Sequence, residues 1–157
     1  MQTFKGAVKD RRQEPAPGAP APGSANSRLE VHVIFTTPQA TRSALRAADM
    51  MMQGCDVQIH FLVPQVVPLG FPLTRPPVSI AFAERRALGI AFECCDTAEI
   101  RIQVVLCGNR EQCIERVLSP NSLVIIGSRK QRWLAPEQKL AKLLRSSGHR
   151  VIHVLGE

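Results

Sequence analysis

Leu123-Val124-Ile125-Ile126-Gly127-Ser128-Arg129-Lys130-Gln131-Arg132-Trp133 is the stretch on which the fold turns. Its first four residues are apolar without alternation, the pattern of a parallel strand buried on both faces. Gly127-Ser128 follows, where α/β proteins often hold a phosphate. Then come three cations and the chain's one tryptophan. The stretch reads as a phosphate loop, as a polyanion patch, or as a turn between a strand and a helix.

Outward from it, strands and helices alternate. "VHVIF" (31–35) ends at Thr36-Thr37-Pro38, where Thr37 caps a helix opened by Pro38. Ala44, Ala48, Met51 and Met52 mark the inner face of that helix, and Gly54 stops it. "VQIHFLV" (57–63) is a second strand; the five prolines of 64–77 make a long irregular loop. Ser79 caps a second helix with Phe82, Ala83, Ala87, Ile90 and Ala91 on one face. "IRIQVVL" (100–106) is a third strand, and Asn109 with Gln112 resembles a capping box for a short helix carrying Cys113, Ile114, Val117 and Leu118. After 123–127, the fourth strand, Pro136 opens a helix with Leu140, Leu143 and Leu144 inward and Lys139, Lys142 and Arg145 outward. Gly148 ends it, and "VIHVL" (151–155) is the fifth strand.

This β-α-β-α-β-α-β-α-β order predicts an α/β fold, a doubly wound five-stranded parallel sheet with helices on both faces. Ligands of such sheets sit beyond the carboxyl ends of the strands, where strand order reverses. That places Thr36 and Thr37 opposite Gly127, Ser128, Arg129 and Lys130, with 64–78 as a third wall.

Composition narrows the function. The chain has 157 residues and a net charge of +7, yet 127–150 alone hold seven Lys/Arg against Glu137. Basic character is therefore local, suited to a salt-sensitive polyanion surface built from Arg129, Lys130, Arg132, Lys139, Lys142 and Arg145. With aromatics at 4% and no tyrosine, the chain lacks the stacking platforms of a dedicated single-strand binder. Residues 1–28 are Pro/Ala-rich and carry no apolar periodicity, so a disordered tail is expected ahead of the domain at 29–157. Five cysteines without a CxxC, no signal segment and no apolar run of membrane length point to a cytoplasmic protein with reduced thiols. No metal-ligand spacing and no catalytic constellation stand out. His32, His60 and His153 fall within strand patterns, and Cys94-Cys95 reads as helix-end packing, with a redox role as the alternative.

The block Pro120-Asn121-Ser122-Leu123-Val124-Ile125-Ile126-Gly127-Ser128-Arg129, the long connection after the second strand and the closing Val151-Ile152-His153-Val154-Leu155 resemble the universal stress protein family over residues 29–157. The resemblance implies an adenine-nucleotide alpha-hydrolase-like fold of strand order 3-2-1-4-5. It also implies ATP or AMP between the first and fourth strands in many members, and dimerisation through the last strand. The ATP-binding branch carries G-x2-G-x9-G-[S/T] after the fourth strand. Here Gly127 fits, Lys130 replaces the second glycine, and Leu140-Ala141 stand where Gly-Ser belongs. Counting back from Val151 puts Glu137-Gln138 there instead. Thr36-Thr37 replace the aspartate usual after the first strand. A lysine side chain obstructs the close backbone approach that glycine allows, and Glu137 competes with a phosphate for the helix dipole.

The expectation is thus a divergent universal-stress-like module, regulatory or structural, without catalysis or ATP hydrolysis. It would be a homodimer through His149, Val151, Ile152, His153, Val154 and Leu155. The alternative is a nucleotide or small-phosphate binder using Thr36, Thr37, Gly127, Ser128, Arg129 and Lys130.

Overall fold

A computed structural model describes residues 3–7 (main chain), 28–72, 74–96, 98–129 and 135–156. The chain runs β1 (Thr3–Ala7), β2 (Leu29–Ile34), α1 (Pro38–Met51), β3 (Val57–Val66), α2 (Ile80–Cys94), β4 (Glu99–Cys107), α3 (Arg110–Val117), β5 (Leu123–Arg129), α4 (Pro136–Ser146) and β6 (Arg150–Gly156). The sheet order is β1-β4-β3-β2-β5-β6. Its β4-β3-β2-β5-β6 portion is parallel throughout and is the expected 3-2-1-4-5 order. Strand order reverses between β2 and β5, whose registers pair Val33 with Ile125 and Ile34 with Ile126.

The local signals act where they stand. Thr37 caps α1, its Oγ1 accepting from the Ala40 N–H, with Pro38 in the first turn. Ser79 accepts from the Phe82 N–H, and the Asn109 side chain accepts from the Gln112 N–H. Each cap satisfies an amide the helix leaves without an internal partner.

Both sheet faces are buried. Val31, Val33, Ile59, Phe61, Ile102, Val104 and Ile125 pack against Ala44, Leu45, Ala48, Ala83, Ala87 and Ile90 of α1 and α2. On the other face Ile34, Leu62, Val124 and Ile126 meet Ile114 of α3 and Leu140, Ala141 and Leu144 of α4. Two expected inner residues turn outward: Met51 is exposed at the end of α1, and Phe82 lies off the Ala83-Ala87-Ile90-Cys94 stripe of α2.

Three expectations change. The loop expected from Pro64 begins later, because β3 continues to Val66 in register with Val104–Cys107. β2 ends opposite Leu62, so Pro64 sits where only β4 flanks the strand and a missing N–H is tolerated. The fourth strand does not stop at Gly127: Gly127, Ser128 and Arg129 belong to β5, in register with Val154, Leu155 and Gly156 of β6. Within the tail expected at 1–28, Thr3–Ala7 form β1, antiparallel to β4 from Thr3↔Val105 to Ala7↔Arg101, while 1–2 and 8–27 lie outside the described residues. No helix among the described residues is long and apolar enough to cross a membrane.

Candidate functional site

The crevice at the strand-order reversal is where a doubly wound sheet holds ligands. A Cβ added to Gly127 would lie 2.0 Å from the Ala40 carbonyl oxygen and 2.6 Å from the Ala40 carbonyl carbon. Gly127 is therefore required by the first turn of α1, which lies directly on β5. Gly156 serves similarly on the neighbouring strand, where an added Cβ would meet Ser43 Oγ at 3.1 Å. Two strand-end glycines let α1 settle low across β5 and β6.

The hydroxyls expected to face a ligand are engaged within the chain. Thr36 Oγ1 donates to the Gly127 carbonyl at 2.9 Å, tying the end of β2 to β5 across the crevice. The Thr36 N–H donates to Thr41 Oγ1 at 3.1 Å. Thr37 Oγ1 accepts from the Ala40 N–H at 3.3 Å, and the Thr41 N–H bonds the Thr37 carbonyl at 2.8 Å. At the N-terminus of α1, where amides would draw an anion, those of Ala40 and Thr41 already have partners. Phe35 packs against the core beside Phe61, with the Arg86 guanidinium 5.2 Å above its ring centroid.

Ser128 differs. Its neighbours Ile125 and Gly127 face α1 and α2, so alternation puts Ser128 on the α4 face with Val124 and Ile126. It is 1% exposed, and its Oγ has no hydrogen-bond partner among the described residues. A buried hydroxyl without a partner costs free energy, so it calls for an explanation. Above this face, α4 begins at Pro136 with Ala135 making no side-chain cap and Glu137 in the first turn. Arg129 is exposed at the end of β5. Lys130 and the rest of the basic turn, with Arg132 and Trp133, lie outside the described residues. Lys139, Lys142 and Arg145 are exposed on α4.

The histidines sort into structural places. His32 and His60 stack at the amino ends of β2 and β3, ring centroids 5.0 Å apart, with Glu30 Oε1 3.8 Å from His60 Nε2. Burial, then the neighbouring His60, holds the His32 pKa below its usual value. His149 Nδ1 accepts from the Ser122 N–H at 3.2 Å, so it braces the turn into β6 rather than the strand's free edge. Burial also lowers His153, with Arg145 next in effect and Glu137 opposing.

The cysteines are unpaired with respect to disulfides. Burial pushes the Cys95 and Cys107 thiols up to about 12, and Cys95 Sγ sits 3.6 Å from the Leu45 carbonyl it donates to. These thiols are not poised nucleophiles. Among the described residues no His/Cys/Asp/Glu group could hold a metal ion. A polar hollow of about 160 Å³ lies at the amino ends of the strands, between Arg28, Cys55, Asp56 and Glu99. Arg28 bridges both acids there, at 2.9 Å from Asp56 and 2.6 Å from Glu99.

Thr36 and Gly127 meet through a hydrogen bond, whereas Ser128 faces α4 on the other side of the sheet. Sequence reasoning missed Ala40, whose carbonyl sits against Gly127, and the Ser128 hydroxyl, which has no partner among the described residues. An alanine two residues inside a helix carries no sequence signal of a sheet contact.

Comparison with known proteins agrees with this geometry. No family model and no curated protein matches the chain. Among solved structures, a universal stress protein from Archaeoglobus fulgidus superposes with a TM-score of 0.57 at 16% identity, covering 80% of this chain and 93% of that one. The chain has the universal stress protein fold.

Proposed function

We propose that this chain is a universal-stress-like regulatory or interaction module, a cytoplasmic homodimer through β6 that neither hydrolyses ATP nor catalyses another reaction. The observation that carries this reading is the seating of the Ala40 carbonyl on Gly127, within 2.0 Å of where a side chain would start. In this reading that seating takes the close backbone approach a triphosphate would need. The dimer reading draws support from β6, an edge strand whose Val151, Ile152, His153 and Val154 are only half-buried and whose Leu155 is exposed. Unpaired thiols accord with a reducing compartment.

Thermal melting with millimolar ATP and AMP tests ligand binding, since a ligand that binds only the folded chain must raise its melting temperature. No shift is expected; a saturable rise would overturn the reading. Sedimentation at micromolar concentration tests the dimer, and a monomer there refutes it.

The isolated Ser128 hydroxyl favours a second reading, a small phosphate ligand. Ser128, Arg129, Lys130 and the uncapped start of α4 would hold it, with no triphosphate cradle needed. Orthophosphate would then stabilise the natural chain, and Ser128→Ala would lose that gain.

A further inference from the structure

The sheet has two ends, and they are finished differently. At one end β6 is open along its outer side. At the other, β4 is covered by β1, the one antiparallel strand in the sheet. β1 reaches β4 from far along the sheet: β4 and β3 both stand between it and β2, to which it is joined through residues 8–28. That connecting sequence is rich in proline, alanine and glycine. In extended form its twenty or so residues reach roughly 60 Å, several times the three strand spacings, about 14 Å, that separate β1 from β2. β1 holds a five-residue ladder with Gly6 inside it. Short edge ladders of this kind open most readily.

The strand beneath it is unprotected in every other respect. β4 is nine residues long and contains no proline or lysine. Ile100, Ile102, Val104, Val105 and Leu106 are all buried. Arg101 is the one charge within the five residues that β1 covers. Natural sheets blunt exposed edges with short strands, prolines, bulges or inward charges. β4 uses none of these along 101–105; it has β1.

We infer that the outer edge of β4 is a strand-acceptor site, that β1 is its resident occupant, and that β4 of a second copy takes the place when β1 leaves. The orientation fits. Two identical edges related by a two-fold axis meet antiparallel, the direction β1 already has. A pair centred on Gln103 covers the same five residues and sets each Arg101 opposite the other copy's Val105, so like charges do not face each other. β1 therefore limits assembly. With it in place, edge pairing is confined to β6; without it both ends of the sheet can pair. This inference does not depend on whether β6 forms a dimer.

The test is the full chain carrying Phe4→Pro and Lys5→Pro together. Successive strand amides point to opposite edges, so one of the two prolines must remove a donor facing β4. At low micromolar concentration, amides in 101–105 should exchange with solvent roughly tenfold faster than in the natural chain. As concentration rises, sedimentation velocity should reveal a larger species, and protection at 101–105 should return. A peptide of residues 1–8 in excess should dissolve that species. Unchanged exchange at low concentration overturns the inference, because β1 then does not shield β4. Faster exchange with no larger species also overturns it, because the edge then refuses a second copy. A larger species that ignores the peptide has formed elsewhere and likewise overturns it. A species built through β6 would appear equally in the natural chain.

Discussion

Gly127 shows how a single missing side chain can seat a helix on a strand. Its missing side chain admits the Ala40 carbonyl, so Gly127→Ala drives a methyl into a backbone atom of α1 that cannot swing aside. Overpacking against backbone costs about 1–3 kcal/mol or more. Chemical denaturation of that variant should show a midpoint loss of at least this size; an unchanged midpoint would mean that α1 does not rest on β5. Ser128→Ala tests the opposite situation. The hydroxyl is buried without a partner, so its removal should leave stability unchanged or raise it by about 1 kcal/mol. A clear loss would reveal a partner for that oxygen.

Among the elements, α1 and α4 begin in contrasting ways. α1 has a threonine cap and a proline in its first turn, whereas α4 has the proline but only Ala135 at the cap. Thr37→Ala should therefore cost about 1 kcal/mol. Ala135 already has the extended backbone of a cap residue, φ −59° and ψ 136°. Ala135→Ser should accordingly add about 0.5–1 kcal/mol, read as a rise in melting temperature. The uncapped start of α4 is also what the small-phosphate reading would use. Under that reading Ala135→Ser weakens orthophosphate binding while strengthening the fold.

Across the whole molecule, buried imidazoles make the fold acid-sensitive. His32 and His153 both have pKa values held below 6.5, chiefly by burial. The unfolded chain takes up their protons near pH 6.5, the folded chain only at lower pH. Their contribution to stability is therefore complete above pH 6.5 and is lost as pH falls through the depressed folded values. His60, Glu30 and His149 act on His32 electrostatically, and Arg145 and Glu137 act on His153. The melting temperature should drop between pH 7 and pH 5, and His32→Gln should flatten that drop. A natural chain with a flat profile over this range would contradict the burial of both rings.

The order of elements and all four helix starts, at Thr37-Pro38, Ser79, Asn109 and Pro136, were legible in the sequence because they rest on local chemistry, whereas the strand order followed only from the resemblance to the universal stress protein family. Thr37, Ser79 and Asn109 cap through atoms three residues away, and unbroken runs such as Leu123–Ile126 mark strands buried on both faces. The candidate site was legible only as an address. Gly-Ser after a buried strand looks the same whether or not a helix rests on it, and that contact is made by Ala40, 87 residues earlier in the chain. β1 was hidden for a similar reason. Thr3–Ala7 has no periodicity of its own, and it becomes a strand because β4 presents an unpaired edge. By itself the sequence determined that strands and helices alternate from residue 29 onward and how three of the helices are capped. The tertiary structure alone decided that α1 rests on Gly127 and that β1 covers one sheet edge, because both depend on backbone groups that side-chain patterns do not encode.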